Sequence, residues 1–345
     1  MPAVQSGLVL VTGASGFLAV HVVKELLSRG YQVRGTVRSK EKGDYLLRKF
    51  PSGFEYAIVE DVEAEGGFDQ ALKGVDAVEH TAAPFHYKAE HPDKVINPAV
   101  NGTKNVLKSI QKHGKNVKRV VLTSTFGAIV DLRKKRPHTF TELDWNTDST
   151  SALESKGDDI SPGEAYKAGK TLAEKAAWQF VEDNKPKWDL VALNPPFILG
   201  PILHQVNAAD KLNTSVGQWY AWLTGSKNGD DAAGPLSNVV DVRDLAHAHV
   251  QAISLEEAGS KRIAVSNQPY TWQLCLDEVY GNDAVMKSWP KLPKGRTGAD
   301  KLEDQNLLDN SRSKEILKMT YIPFKKTLLD AAASLAEREA SGWSD

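Results

Sequence analysis

The chain has 345 residues, 41% hydrophobic and 25% charged, and its 43 basic and 44 acidic residues leave a formal net charge of -1. This is the composition of a soluble globular protein rather than a disordered one, and the even charge balance excludes a dedicated nucleic-acid or polyanion binder. The length suggests about two domains with a core that needs no disulfides, and the single Cys275 excludes an internal disulfide and a cysteine-built metal site.

Met1–Ser6 has no basic run, and the apolar stretch Leu8–Thr12 is too short for a signal peptide or a membrane span. A reducing, cytoplasmic setting with no membrane partner and no metal is therefore expected. Leu8-Val-Leu-Val-Thr12 meets a glycine cluster and predicts a buried parallel strand. Phe17–Arg29 has helical apolar spacing, with Gly30 as its stop. Gln32–Val37, Phe54–Val59 and Ala77–Thr81 predict three more strands, with a short helix over Phe68–Lys73. A helix opening at Pro98 runs to Gly114, and Arg119–Thr123 is the fifth strand.

Residues 133–159 are polar and irregular, which predicts a long loop, functional or variable. Ser161-Pro-Gly-Glu164 is a capping signature, and the helix behind it extends to about Asn184. Leu190–Asn194 is the sixth strand, ended by Pro195-Pro196. Alternating strands and helices imply a Rossmann-type α/β fold, a doubly wound parallel sheet covered on both faces. After Pro201 glycines and aromatic residues dominate. Residues 1–200 plus about 236–265 are expected to form the dinucleotide-binding domain, and about 201–235 plus 266–345 a smaller, discontinuous C-terminal substrate lobe.

Gly13-Ala14-Ser15-Gly16-Phe17-Leu18-Ala19 has the form Gly-x-x-Gly-x-x-Ala between strand and helix. Gly13 permits a tight exit, Gly16 clears space for a pyrophosphate, and Ala19 lets the helix pack on the strand. The helix N-terminus then favours an anion. At the end of the second strand an acid would select NAD. The sequence instead has Thr36-Val37-Arg38-Ser39 with Lys42 beyond, a fork and a point charge suited to the 2′-phosphate of NADP(H). Asp61-Val62 follows the third strand, where the adenine would lie.

Tyr166 and Lys170 stand four residues apart on one helix face. A phenol with a reference pKa of about 10 is tuned downward by a neighbouring ammonium, so the pair suits acid/base work. Ser124 and Thr125 end the fifth strand, where ligands of open parallel sheets sit, and either offers a hydroxyl to polarise a substrate oxygen.

At these residues the chain resembles the extended short-chain dehydrogenase/reductases. Within them it is most similar to the branch of dihydroflavonol 4-reductases and fungal NADPH-dependent aldehyde/ketone (carbonyl) reductases. Thr36-Val37-Arg38, Thr81-Ala82-Ala83-Pro84, Asn101-Gly102-Thr103, Thr171–Trp178, Asn194-Pro195-Pro196 and Leu212–Ser215 carry the finer likeness. That branch usually has Thr-Ser-Ser at the fifth strand, so here Thr125 matches the catalytic serine, with Ser124 as the alternative. The resemblance implies that Arg38 and Lys42 hold the 2′-phosphate and that Asp61 and Val62 hold the adenine. It places Thr81, Ala82 and Ala83 under the nicotinamide ribose, Pro195 to Ile198 beside the nicotinamide, and Ser215 at the pyrophosphate. Phe85, Phe126, Phe197, Trp219, Tyr220 and Trp222 are the pocket candidates. The function implied is NADPH-dependent reduction of a small carbonyl substrate by a monomer or homodimer. Its rivals are an NAD-dependent nucleotide-sugar epimerase or dehydratase, which Arg38 opposes, and a non-catalytic NADP sensor, which has no need of Tyr166 and Lys170.

Overall fold

The computed structural model describes residues 3–82, 91–233, 237–296 and 306–343. Along the chain come β1 (Leu8–Thr12), α1 (Phe17–Ser28), β2 (Gln32–Val37), α2 (Lys40–Lys49), β3 (Phe54–Ile58), β4 (Ala77–His80), α3 (Asp93–His113) and β5 (Arg119–Thr123). There follow β6 (Thr139–Phe140), α4 (Asp148–Lys156), α5 (Pro162–Asn184), β7 (Asp189–Asn194), β8 (Phe197–Leu199), α6 (Thr214–Leu223), β9 (Ser237–Asp241) and α7 (Val242–Ser254). The chain closes with β10 (Lys261–Ala264), β11 (Gln268–Tyr270), α8 (Trp272–Val279), α9 (Asp283–Ser288), β12 (Leu307–Leu308), α10 (Ser311–Ile316) and α11 (Phe324–Ala340).

Seven strands form one sheet in the order β10-β7-β5-β4-β1-β2-β3, and every pairing in it is parallel. This is the Rossmann-type doubly wound order with one strand added at the β7 edge. Strand alternation splits the core between the two faces. Val9, Val11, Val33, Val121 and Val191 pack with α1 and α7 residues such as Val22, Leu26, Leu245 and Val250. Leu10, Val78, Val120, Leu122 and Leu190 face the other way, toward Leu107, Ile110 and Ala177 of α3 and α5. The first cluster continues without a break into Trp219, Trp222, Cys275, Leu276, Trp289 and Leu328 of the C-terminal part. A second, three-stranded sheet has the order β11-β9-β8.

The structure departs from the sequence expectations in three places. Phe68–Lys73 forms turns rather than a helix; Gly66, Gly67 and Gly74 bracket it, and its buried Phe68 and Leu72 simply plug the sheet face. The helix expected to open at Pro98 opens at Asp93 and carries Pro98 inside. Burial of Val95 and Ile96 outweighs the backbone hydrogen bond that proline forfeits. Residues 133–159 are not a plain loop: β6 pairs in parallel with β12, and α4 packs against α5.

Candidate active site

The order β2-β1-β4-β5 places the topological switch point between β1 and β4. At the β1–α1 turn, Gly13 has φ +67°, a conformation that a side chain disfavours. Its N–H donates to Thr36 Oγ1 at 3.0 Å, and Ala14 N–H donates to the Thr36 carbonyl at 2.9 Å, so β2 fixes the turn. A Cβ on Gly16 would come 3.3 Å from the Gly13 carbonyl. Gly16 is the N-cap of α1, no side chain caps it, and the first turn has no acidic residue. The uncapped end and the cleared cradle fit a pyrophosphate. Phe17 and Leu18 continue from the turn into the pocket lining, while Ser15 stays within the turn.

Across the switch point Thr12 acts as a latch. Its Oγ1 accepts the Ala82 N–H at 3.0 Å and meets His80 Nδ1 at 2.9 Å, while Thr81 Oγ1 donates to the Thr12 carbonyl at 2.5 Å. The end of β4 is thereby locked beside the glycine turn. Burial holds His80 down at about 3, with the Lys170 charge adding to the effect, so its imidazole is neutral at physiological pH.

At the end of β2 the Arg38 side chain is exposed and that of Lys42 half-buried, and neither forms an ion pair among the described residues. Ser39 caps α2 and holds this basic corner in place. Asp61 Oδ1 accepts the Glu63 N–H at 2.8 Å, and Val62 lies against α3, 3.3 Å from where a Cβ on Gly102 would stand. Ala83 and Phe85 lie outside the described residues.

The catalytic candidates meet around one cavity of about 510 Å³, lined by Thr125, Phe126, Tyr166, Lys170, Phe197 and Ser215 among others. The helix that carries Tyr166 and Lys170 is fixed at its start by a complete capping box, with Ser161 accepting from the Glu164 N–H and the Glu164 carboxylate accepting from the Ser161 N–H. It is drawn close to α3 at Gly169, where an added Cβ would lie 3.1 Å from Ile96 Cα. Lys170 is buried, and its ammonium donates to the Thr123 carbonyl at 2.8 Å. Burial lowers its pKa to about 8, opposed by the Glu174 carboxylate one turn on.

The two strand-end hydroxyls have different surroundings. Ser124 Oγ donates to Glu174 Oε2 at 2.5 Å, and the Glu174 carboxylate also takes Arg262 Nε at 2.6 Å and Asn194 Nδ2 at 2.9 Å. Ser124 is therefore spent on a buried ionic cluster. Thr125 Oγ1 accepts the Gly127 N–H at 3.1 Å, which leaves its own proton to donate. Asn194 Nδ2 to the Thr125 carbonyl, at 3.2 Å, and Phe126 N–H to the Pro195 carbonyl, at 2.7 Å, pin this segment to the end of β7.

Pro195, Phe197, Ile198, Ser215 and Phe126 line the cavity, and Asn213 Nδ2 holds Ser215 Oγ at 2.9 Å. Trp219, Tyr220 and Trp222 do not, which corrects their assignment to the pocket. Trp219 is fully buried and stacked on Trp272, with ring centroids 6.2 Å apart, and Trp222 packs on the same ring. Tyr220 packs on Trp289 and Trp343 and bonds the Glu339 carboxylate. Their helix turns these rings into the core that continues from the sheet. Leu132, Arg136, Gln218, Asn238 and Asn306 line the cavity without having been anticipated. They come from four stretches far apart in the chain, and no local pattern joins them.

A parallel sheet with a glycine cradle at its switch point and a Tyr/Lys pair beside a strand-end hydroxyl is the arrangement of the extended short-chain dehydrogenase/reductases, a class of pyridine-nucleotide oxidoreductases. The chain belongs to the 3-beta hydroxysteroid dehydrogenase/isomerase family, which matches residues 10–275. It is 34% identical to the NADPH-dependent methylglyoxal reductase GRE2 of Saccharomyces cerevisiae, covering 96% of this chain and 98% of that protein. It is 33% identical to the ketoreductase azaE of Aspergillus niger, with 96% and 98% covered. The crystal structure of Gre2 from Candida albicans in complex with NADPH matches it at a TM-score of 0.87 and 36% identity, over 96% of this chain and 98% of that one. Among the described residues no helix is long and apolar enough to cross a membrane.

Proposed function

We propose that this protein reduces an aldehyde or ketone to the alcohol, with Tyr166 as proton donor, Lys170 as the cation beside it and Thr125 as the hydroxyl that polarises the carbonyl oxygen. The protein is an NADP-dependent oxidoreductase of carbonyl and CH–OH groups, and its cofactor is NADPH. The reading of the site rests above all on Lys170: a buried ammonium one turn beyond Tyr166, anchored to Thr123 at the end of β5, two residues before Thr125, with all three on one cavity.

In this reading the Gly13–Leu18 turn and Ser215 hold the pyrophosphate, Arg38 and Lys42 the 2′-phosphate, and Asp61 and Val62 the adenine. Thr81, Ala82 and Ala83 take the nicotinamide ribose, and Pro195 and Ile198 border the ring. When bound, NADPH supplies the hydride. Thr125 and Tyr166 orient the carbonyl oxygen and stabilise the charge that develops on it. Tyr166 then delivers its proton to that oxygen, while Lys170 keeps the phenol poised to lose it. Residues of about 201–235 and 266–345 close the substrate side, with Phe126 and Phe197 as its aromatic walls.

The test is NADPH consumption against a panel of small aldehydes and aromatic ketones, with Tyr166→Phe as the comparison. The variant keeps the ring, so NADPH binding followed by nicotinamide fluorescence survives while reduction falls at least about 10²-fold. Wild-type turnover by Tyr166→Phe would show that another group donates the proton.

A further inference from the structure

Behind the cavity wall, a line of hydrogen bonds runs from a buried carboxylate to Lys170. Glu79 in β4 and His249 in α7 are both wholly buried, and Glu79 Oε2 lies 2.6 Å from His249 Nδ1. His249 Nε2 lies 3.1 Å from Thr123 Oγ1. The carbonyl of the same Thr123 takes the Lys170 ammonium at 2.8 Å. Glu79 Oε1 has no hydrogen-bond partner among the described residues, and burial pushes the Glu79 carboxyl upward.

A carboxylate in the middle of a central strand is a costly choice where an aliphatic side chain would pack. The valines Val9, Val11, Val121 and Val191 surround it on this face. The other buried charges there, Arg119 and Asp189, are bonded to each other and to the Ala252 carbonyl of α7, whereas Glu79 leaves Oε1 without a partner among the described residues. The pair therefore calls for a task beyond cohesion. We propose that Glu79 and His249 are positioning residues for the reduction: they fix Thr123, so that its carbonyl holds the Lys170 ammonium in place. The proposal rests on the assignment of Tyr166 and Lys170 to the acid/base step.

The hydrogen-bond logic closes in either charge state. With Glu79 ionised, His249 donates from Nδ1. Its Nε2 then accepts the Thr123 hydroxyl proton when the ring is neutral, or donates to Thr123 Oγ1 when the ring is charged. Either way one rotamer of Thr123 is selected at the last residue of β5. A small displacement there moves Lys170, and positional errors of this kind reduce turnover more than binding. The titratable groups facing this line are Tyr31, ahead of β2, toward Glu79, and His80 of β4 toward Lys170. From α5 itself come Glu174 and Tyr166.

Three variants test the proposal, read by kcat, KM and the pH profile of alcohol oxidation. Thr123→Val removes the hydroxyl and keeps the carbonyl, and Glu79→Leu removes the carboxylate. Each should lower kcat about 10-fold, leave the carbonyl KM within about twofold, and raise the apparent pKa of the coupled Tyr166–Lys170 pair. Glu79→Gln keeps an oxygen that accepts from His249 Nδ1 and should hold kcat within about threefold of wild type. Should Glu79→Leu fail to fold, Thr123→Val decides. A folded Thr123→Val with wild-type kcat and pH profile overturns the proposal. If Tyr166→Phe is inactive in that same comparison, the acid/base reading stands and only this inference is lost. If Tyr166→Phe is fully active, both are lost.

Discussion

At the β1–α1 turn the uncapped end of α1 offers backbone N–H groups; Thr36 of the neighbouring β2 holds the turn, and Thr12 at the end of β1 ties it to the residues after β4. The far wall of the pocket is made by side chains from separate segments, among them Leu132, Arg136, Gln218, Asn238 and Asn306. The first region depends on where the chain can turn, which a few glycines and small residues dictate. The second depends on which way each side chain points, which only tertiary packing decides. A pyrophosphate needs the same cradle in every such enzyme, whereas a substrate pocket is free to vary.

The largest expected effect tests whether the aromatic helix α6 belongs to the core. Trp219→Ala should cost about 3–5 kcal/mol of stability, as large-to-small core truncations do, with a cavity left beside Trp272. Thermal unfolding would show this, while the carbonyl KM of the remaining folded enzyme stays near wild type. An unchanged melting point with an altered KM would return Trp219 to the pocket and break the contrast.

The next effect sharpens the contrast within two adjacent residues. Thr125→Val should cost about 10²-fold in kcat, the scale of a lost oxyanion donor. Ser124→Ala should mainly destabilise, because it strips a donor from the buried Glu174–Arg262 cluster and leaves a carboxylate oxygen short of a partner. The reverse pattern of kcat losses would make Ser124 the polarising hydroxyl.

These cases show what can be read from the residues alone. Strand edges in the middle of the sheet are legible because burial on both faces leaves continuous apolar runs, as in β1 and β5. The phosphate turn and the Tyr166/Lys170 pair are legible because their spacing is local. The aromatic run Trp219, Tyr220 and Trp222 misleads because aromatic rings suit a pocket and a core equally, and the Trp272 stack that claims two of them is far away in sequence. Ser124 and Thr125 are indistinguishable until Glu174 and Arg262 arrive from other elements. Glu79 and His249 have no local signal either: a glutamate between Val78 and His80 looks like an interrupted strand until α7 packs over it.

Arg38→Asp addresses the cofactor side. It replaces a guanidinium that has no ion pair among the described residues, so the fold loses little. The KM for NADPH should rise at least about 10-fold, as expected when a charge-assisted phosphate contact becomes a repulsion, and that for NADH far less. Equal changes for both cofactors would detach Arg38 from the 2′-phosphate.

The last effect lies at a seam where the start of α7 meets the segment before α11. Asp244 accepts the Ile322 N–H at 2.9 Å, and burial, with the Asp241 carboxylate nearby, raises its pKa to about 7. In the unfolded chain it ionises at an ordinary carboxylate value, about 3.9. Between those values the folded protein holds a proton that the unfolded chain has released. Stability from this group therefore falls as pH rises from about 4 to about 7 and changes little beyond. Asn has the same shape, keeps an oxygen for Ile322 and never ionises. Asp244→Asn should thus melt within a degree or two of wild type at pH 4 and several degrees above it at pH 8, by about 2–4 °C for each kcal/mol in a chain of this size. A difference in melting temperature that is flat with pH would mean that Asp244 titrates normally and that the seam carries no buried protonated carboxyl.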